Sequence, residues 1–187
     1  FLAATASVPM GAENTLIDAA ERGDRAAVTQ LLAKGTNPNT PGPDGTTAIM
    51  YAASNGDVEL VRALIKGGAN VKLTNQFGTS ALTEAAIIGS APIIDLLLKA
   101  GADPNTRNPE GESALMAVAR SGKVDAAKRL LEAGADDNVK ENFGGQTALM
   151  WAAAQGQADM VKLLASSGAD VNARAVIRQW ERKVITQ

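Results

Sequence analysis

Apolar and polar positions alternate along this chain in blocks that keep returning. In one block Val58, Val61, Leu64 and Ile65 stand at i, i+3, i+6 and i+7 among charged residues. The spacing recurs in Ala91, Ile94, Leu97 and Leu98, in Val124, Ala127, Leu130 and Leu131, and in Ala158, Val161, Leu164 and Ala165. It draws one apolar stripe along a helix. Pro92 falls in the first turn of its block, where a missing N–H does little harm. Ahead of each block lies a shorter, alanine-rich one: Ala48–Ala53, Ala81–Ala86, Ala114–Ala119 and Ala148–Ala153. Side chains that small suit a thin helix packed close against an antiparallel partner. The pattern predicts helix pairs.

Glycine punctuates the pairs on a fixed clock. Gly23, Gly56, Gly89 and Gly122 are 33 residues apart, and Gly156 follows after 34. Two further series, Gly35, Gly68, Gly101, Gly134 and Gly168, and Gly45, Gly78, Gly111 and Gly145, keep step with it. The slip falls at the Gly144-Gly145 pair, and one extra residue in a surface turn is cheap. Thr47, Ser80, Ser113 and Thr147 stand where a side-chain oxygen caps the first helix of a pair. Gly56, Gly89, Gly122 and Gly156 then stop that helix in the left-handed region. Asn, Asp, Pro and Gly crowd the stretch from each Gly-Ala-Asp/Asn to the next turn glycine, as a protruding β-turn requires. Period and content together predict a stacked solenoid with no private core in any unit.

These residues resemble the ankyrin repeat, a β-turn plus two antiparallel helices in 33 residues. The resemblance runs from about Asn14 to Asn172 and implies an all-α ankyrin-repeat solenoid of about five helix pairs. The first pair, about Thr15 to Lys34, lacks the turn opening and carries Glu21, Arg22, Asp24 and Arg25, as a terminal unit with a wetter face would. The family's Thr-Pro-Leu-His is altered. Ala48, Ala81, Ala114 and Ala148 replace proline, and Met50, Thr83, Met116 and Met150 replace the histidine that ties neighbouring units. Junctions are therefore expected to rest more on packing. The Ala-Leu-Met-Trp-Ala-Ala run is similar to bacterial members.

The repeat domain is expected over 13–174, with different material at each end. Residues 1–12 read as a leader or signal-peptide remnant, since Ala4-Thr5-Ala6 has the Ala-x-Ala form of a cleavage site. The chain opens without an initiating Met, so sequence upstream is expected. That reading implies a periplasmic or secreted protein; a disordered or packed leader in a cytoplasmic one is the alternative. Residues 175–187 break the period. Val176, Ile177, Trp180, Val184 and Ile185 suit one helical face, and Trp180-Glu181-Arg182 is similar to an insertion that precedes further repeats in longer bacterial ankyrin proteins. Trp180 is expected to cap the last helix pair.

Composition narrows the function. Lys+Arg 18 against Asp+Glu 20 offers no basic face for nucleic acid. No apolar run approaches a membrane span, so no membrane insertion is expected. The chain has no cysteine, which removes thiolate catalysis and Cys-based metal sites. It also has no histidine, the usual general acid–base at neutral pH. Asp103, Asp136 and Asp170 recur at one repeat position, the mark of a role in the turn. Lys66-Gly67-Gly68-Ala69 lacks phosphate-loop spacing and lies at a helix C-terminus, the wrong end for an anion. No catalytic, cofactor or metal residue is assigned, and the chain is read as non-enzymatic.

A binding surface remains. The resemblance implies that contacts flank the turn glycine and precede the helix-ending one. Here these are Gln76, Phe77 and Thr79; Pro109, Glu110 and Glu112; Asn142, Phe143 and Gln146; with Ser54-Asn55, Ile87-Ile88, Arg120-Ser121 and Ala154-Gln155. Phe77, Ile87 and Ile88 are large and apolar where a scaffold would be polar, which points to a partner or to stiffening of the stack. Tyr51, Glu84, Ala117 and Trp151 share one repeat position, so the core does not demand an aromatic there. Tyr51 and Trp151 are either half-buried packing groups or contacts. Met50, Met116 and Met150 read as core filler. The expectation is a module binding a protein partner through its concave face. A permanent subunit of a larger hetero-complex, or an enzyme-associated or small-molecule role, stays open.

Overall fold

The structure is a computed structural model, and it describes residues 15–176. Ten helices form five pairs among these residues: α1 (Leu16–Glu21) with α2 (Arg25–Ala33), α3 (Ala48–Ser54) with α4 (Val58–Lys66), α5 (Ala81–Ile88) with α6 (Ala91–Lys99), α7 (Ala114–Ser121) with α8 (Val124–Glu132), and α9 (Ala148–Ala154) with α10 (Ala158–Ser167). Odd-numbered helices stack on one another in chain order, and so do even-numbered ones. The result is two helical layers, with the turns projecting beside the odd-numbered one.

Local chemistry explains the boundaries. Ser80, Ser113 and Thr147 accept from the N–H groups of Thr83, Met116 and Met150, as a cap should. Thr47 does not, contrary to its pattern: its buried hydroxyl oxygen has no partner. Nothing in the structure explains the difference. Although α1 lacks the turn opening, Thr15 and Asp18 build a reciprocal capping box at its start. Pro92 stands in the first turn of α6. Gly89 ends α5 at φ +72°, and a Cβ there would strike the Lys123 side chain of the next repeat.

The buried stripe of the even-numbered helices is wider than the pattern predicts. Leu60, Ile93, Ala126 and Met160 are buried beside Val61, Ile94, Ala127 and Leu164, whereas Ile65, Leu98 and Leu131 are half-buried and Ala165 is exposed. Among the described residues α4, α6 and α8 have an even-numbered neighbour on either side, so two flanks of each leave water, while α10 packs on α8 and α9. Met50 and Met116 are core, but Met150 is half-buried because no described repeat covers α9.

Hydrogen bonds cross the junctions despite the missing histidines. Asn55 donates to the carbonyls of Ala20 and Glu21. Asn39, Asn105 and Asn138 each bridge to the backbone at the end of the next repeat. Packing therefore shares the junctions with amide side chains. The recurring acids do serve the turns: Asp103, Asp136 and Asp170 each accept the N–H two residues on, at 2.9 Å.

The two middle turns are closed by an Asn that reaches across, whereas the first has Gly42 at that place and is closed by Asp44, which accepts from Thr46. Asn75 accepts from Phe77 and Thr79, and Asn108 from Glu112. In the repeat lengthened by Gly144 the same place is held by Glu141. Its longer carboxylate accepts from Phe143, Gly144 and Gln146 at 2.6, 2.7 and 2.9 Å. The extra residue is matched by the longer side chain.

Candidate functional site

The odd-numbered helices are the inner wall, and one repeat position runs along it as Tyr51, Glu84, Ala117 and Trp151. All four are half-buried. Burial, then the charges of Glu21, Asp44 and Asp18, push the Tyr51 phenol up, so its surroundings are acidic. Burial also raises the Glu84 carboxyl, and no described group bonds or pairs with it. The next repeat carries only Ala117 at this position, and one helical turn on Arg120 lies over the Trp151 ring, 4.9 Å from its centroid. The Trp151 indole N–H is buried without an acceptor.

The helix ends and turn tips frame this wall. Phe77 is 59% exposed, Ile87 50% and Ile88 37%, all at the opening or inner helix of the middle repeat. Ile88 is not wholly free, because its Cδ1 lies 3.4 Å from the place of a Cβ on Gly56. It lies against the preceding repeat and faces solvent at once. The tips follow the same 33-residue phase as Asp44, Phe77, Glu110 and Phe143, so acid and aromatic alternate along the rim. Phe143 is 63% exposed.

The other expected contacts divide between surface and scaffold. Gln76, Glu110, Asn142, Arg120, Ser121, Ala154 and Gln155 are exposed. Gln76 and Asn142 also donate their backbone N–H groups to the Asp44 and Glu110 carbonyls of the preceding tip. Pro109 has no N–H to continue that ladder; it packs on Gly78, where a Cβ would stand 2.6 Å from its Cδ. Ser54 is bonded to the Tyr51 carbonyl, and Asn55 is spent on the junction with α1. Thr79, Glu112 and Gln146 are half-buried parts of their turns. Asp18, Glu21 and Asp44 were not among the expected site residues, although the tip phase shared by Asp44 and Phe77 is visible in the chain.

Among the described residues no group of three or more His, Cys, Asp or Glu side chains is placed to hold a metal. No described helix is long and apolar enough to cross a membrane. The proposed leader, with Ala4-Thr5-Ala6, and the tail with Trp180 lie outside the described residues.

A family model of ankyrin repeats, in three copies, matches residues 16–108 and 89–175. The chain belongs to the ankyrin-repeat family. Ankyrin repeats are generally protein–protein interaction modules, which suits a wall of exposed apolar groups better than an enclosed pocket would. No curated protein matches the chain.

Proposed function

We propose that this ankyrin-repeat chain is a non-enzymatic module that binds a protein partner on its concave face, centred on Phe77, Glu84, Ile87, Ile88 and Arg120. Tyr51 and Trp151 flank that centre. The observation that carries the reading is the exposure of Phe77, Ile87 and Ile88 together on one repeat. Ile87 and Ile88 are adjacent, and large apolar groups exposed together mark partner sites more often than singly scattered ones do. The middle of a concave stack is also where a contact is best shielded from water, the setting in which aromatic and Arg anchors carry binding energy. Non-enzymatic action is supported by the chemistry of the chain, which holds neither His nor Cys.

The test is capture of partners from the source cells by the chain and by Ile87→Glu, Ile88→Glu and Phe77→Ala variants, with melting measured in parallel. The expected result is loss of the same captured protein with melting nearly unchanged, since an exposed substitution shifts stability by about half a kilocalorie or less. Unfolding of Ile88→Glu with intact capture by Ile87→Glu and Phe77→Ala would make these side chains scaffold alone. Capture that survives all three but is lost on changing Trp180 would move the interface to the tail.

A further inference from the structure

The charged side chains are divided unevenly between the two layers. On the inner helices they are Asp18, Glu21, Glu84 and Arg120, three acids against one base. The single base is already laid on Trp151. On the outer helices five acids meet seven bases, and most are engaged along their own helix, as Lys99 is with Asp95 at 2.7 Å. The concave wall is therefore acidic and the convex back is weakly basic. The rim repeats the theme, with Asp44 and Glu110 alternating with Phe77 and Phe143.

Glu84 is the acid for which the fold supplies nothing. It is half-buried, its carboxylate has no hydrogen bond or ion pair among the described residues, and burial holds it above the ordinary range. Partial removal from water without a partner is a cost to the free protein. Ile87 and Ile88 follow Glu84 by three and four residues on α5, which sets them on its side of the helix. An unpaired carboxylate with apolar groups beside it is what a cationic side chain on an aliphatic stem seeks. The exposed Ile87, Ile88 and Phe77 lie on the same repeat and call for apolar neighbours to that cation.

We propose that the partner presents a segment in which an arginine or lysine stands among apolar side chains, the cation seated on Glu84 and the apolar groups on Ile87, Ile88 and Phe77. This rests on the concave-face reading and adds to it the chemistry of what is bound. Opposite charge across an interface sets the partner and speeds encounter, so binding weakens with salt.

The probe is a random-sequence peptide library displayed on phage and panned against the full chain, with selected peptides measured by fluorescence anisotropy. Selected sequences are expected to carry Arg or Lys next to apolar residues. They should lose at least about tenfold in affinity on Glu84→Gln, as removal of one partner from a desolvated charge pair does. The stability of the free Glu84→Gln protein should be unchanged or higher, a readout that a structural role for Glu84 would reverse. Peptides that fall on Ile87→Ser but bind Glu84→Gln as well as the parent leave the concave face standing and overturn the cation. Peptides indifferent to both substitutions overturn the face as well. A library that yields no basic peptide overturns the proposal.

Discussion

Asn105 is fastened to Gly134 of the next repeat, its side-chain amide donating to the Gly134 carbonyl at 3.0 Å. Its oxygen accepts from the Asp136 N–H at 2.8 Å, so one side chain satisfies two backbone groups across a junction. Asn39 does the same with Gly68 and Asn70, and Asn138 with Gly168 and Asp170. One position in the series departs. Lys72 stands where Asn belongs, and its Cε merely passes Gly101, 3.8 Å from the place of a Cβ. The junction between the second and third helix pairs lacks the stitch.

Lys72→Asn should therefore stabilise the stack. Two hydrogen bonds at about 0.5–1.5 kcal/mol each set the scale. A chain of this size then melts higher by about 2–4 °C per kcal/mol. Thermal melts of parent and variant check it, and Asn105→Ala should move the melt the other way. An unchanged melt for Lys72→Asn would show that the loop there cannot adopt the bridging geometry.

Leu97 is fully buried in α6, between the outer helices of both neighbours. Leu97→Ala should cost about 2–5 kcal/mol, the range for a large-to-small change in a core. Stability in such an array is a sum of units and interfaces, so a central lesion should split unfolding into stages. Urea unfolding followed by Tyr51 fluorescence and, in a Trp180→Phe background, by Trp151 fluorescence, which report the second and fifth helix pairs, would show the stages as separate midpoints. Coincident midpoints would mean the five pairs still unfold as one.

Asp137 occupies the repeat position that is Pro38 and Val71 in earlier units, both buried. Burial and then the neighbouring Asp136 push its carboxyl above the ordinary value. A carboxyl raised on folding binds its proton more tightly in the folded state. Its contribution is most favourable below the unfolded pKa and is lost as pH rises through the folded one. Asp137→Val removes that loss. The variant should be more stable than the parent at neutral pH, and the difference should shrink toward about pH 4, where an unfolded aspartate titrates. Melts across a pH series check both the sign and the window. A constant difference would assign the effect to packing alone.

Some of this was legible in the chain and some could not have been. Gly56, Gly89, Gly122 and Gly156 read as helix stops because a left-handed residue is a demand that glycine meets at little cost. Phe77, Ile87 and Ile88 read as surface because their phase relative to those glycines sets their direction. Leu60, Ile93 and Met160 escape a single-stripe reading because burial on a second flank depends on a neighbour that the local pattern does not contain. Asn55 escapes for a related reason. Whether its amide faces solvent or the carbonyls of Ala20 and Glu21 depends on how two repeats are offset. The acidity of the inner wall is a sum over repeats, invisible in any one of them.

Glu141 and Gly144 are coupled through the length of their turn. Two of the other turns are spanned by Asn75 and Asn108, the first has Gly42 at that place, and among the described turns only the one with the extra glycine uses a glutamate. Glu141→Asn in the lengthened turn should leave N–H groups of Phe143, Gly144 and Gln146 without their acceptor, at about 1–3 kcal/mol for a group left unsatisfied away from water. Deleting Gly144 alone should also destabilise, because the longer carboxylate would then overreach a turn of ordinary length. Combining the two restores the pattern of the neighbouring repeats, so the double change should cost less than either single one. Melting of the four proteins in a double-mutant cycle measures that coupling directly. Additive losses would show that Glu141 serves its turn independently of length, and that the 34-residue spacing has some other origin.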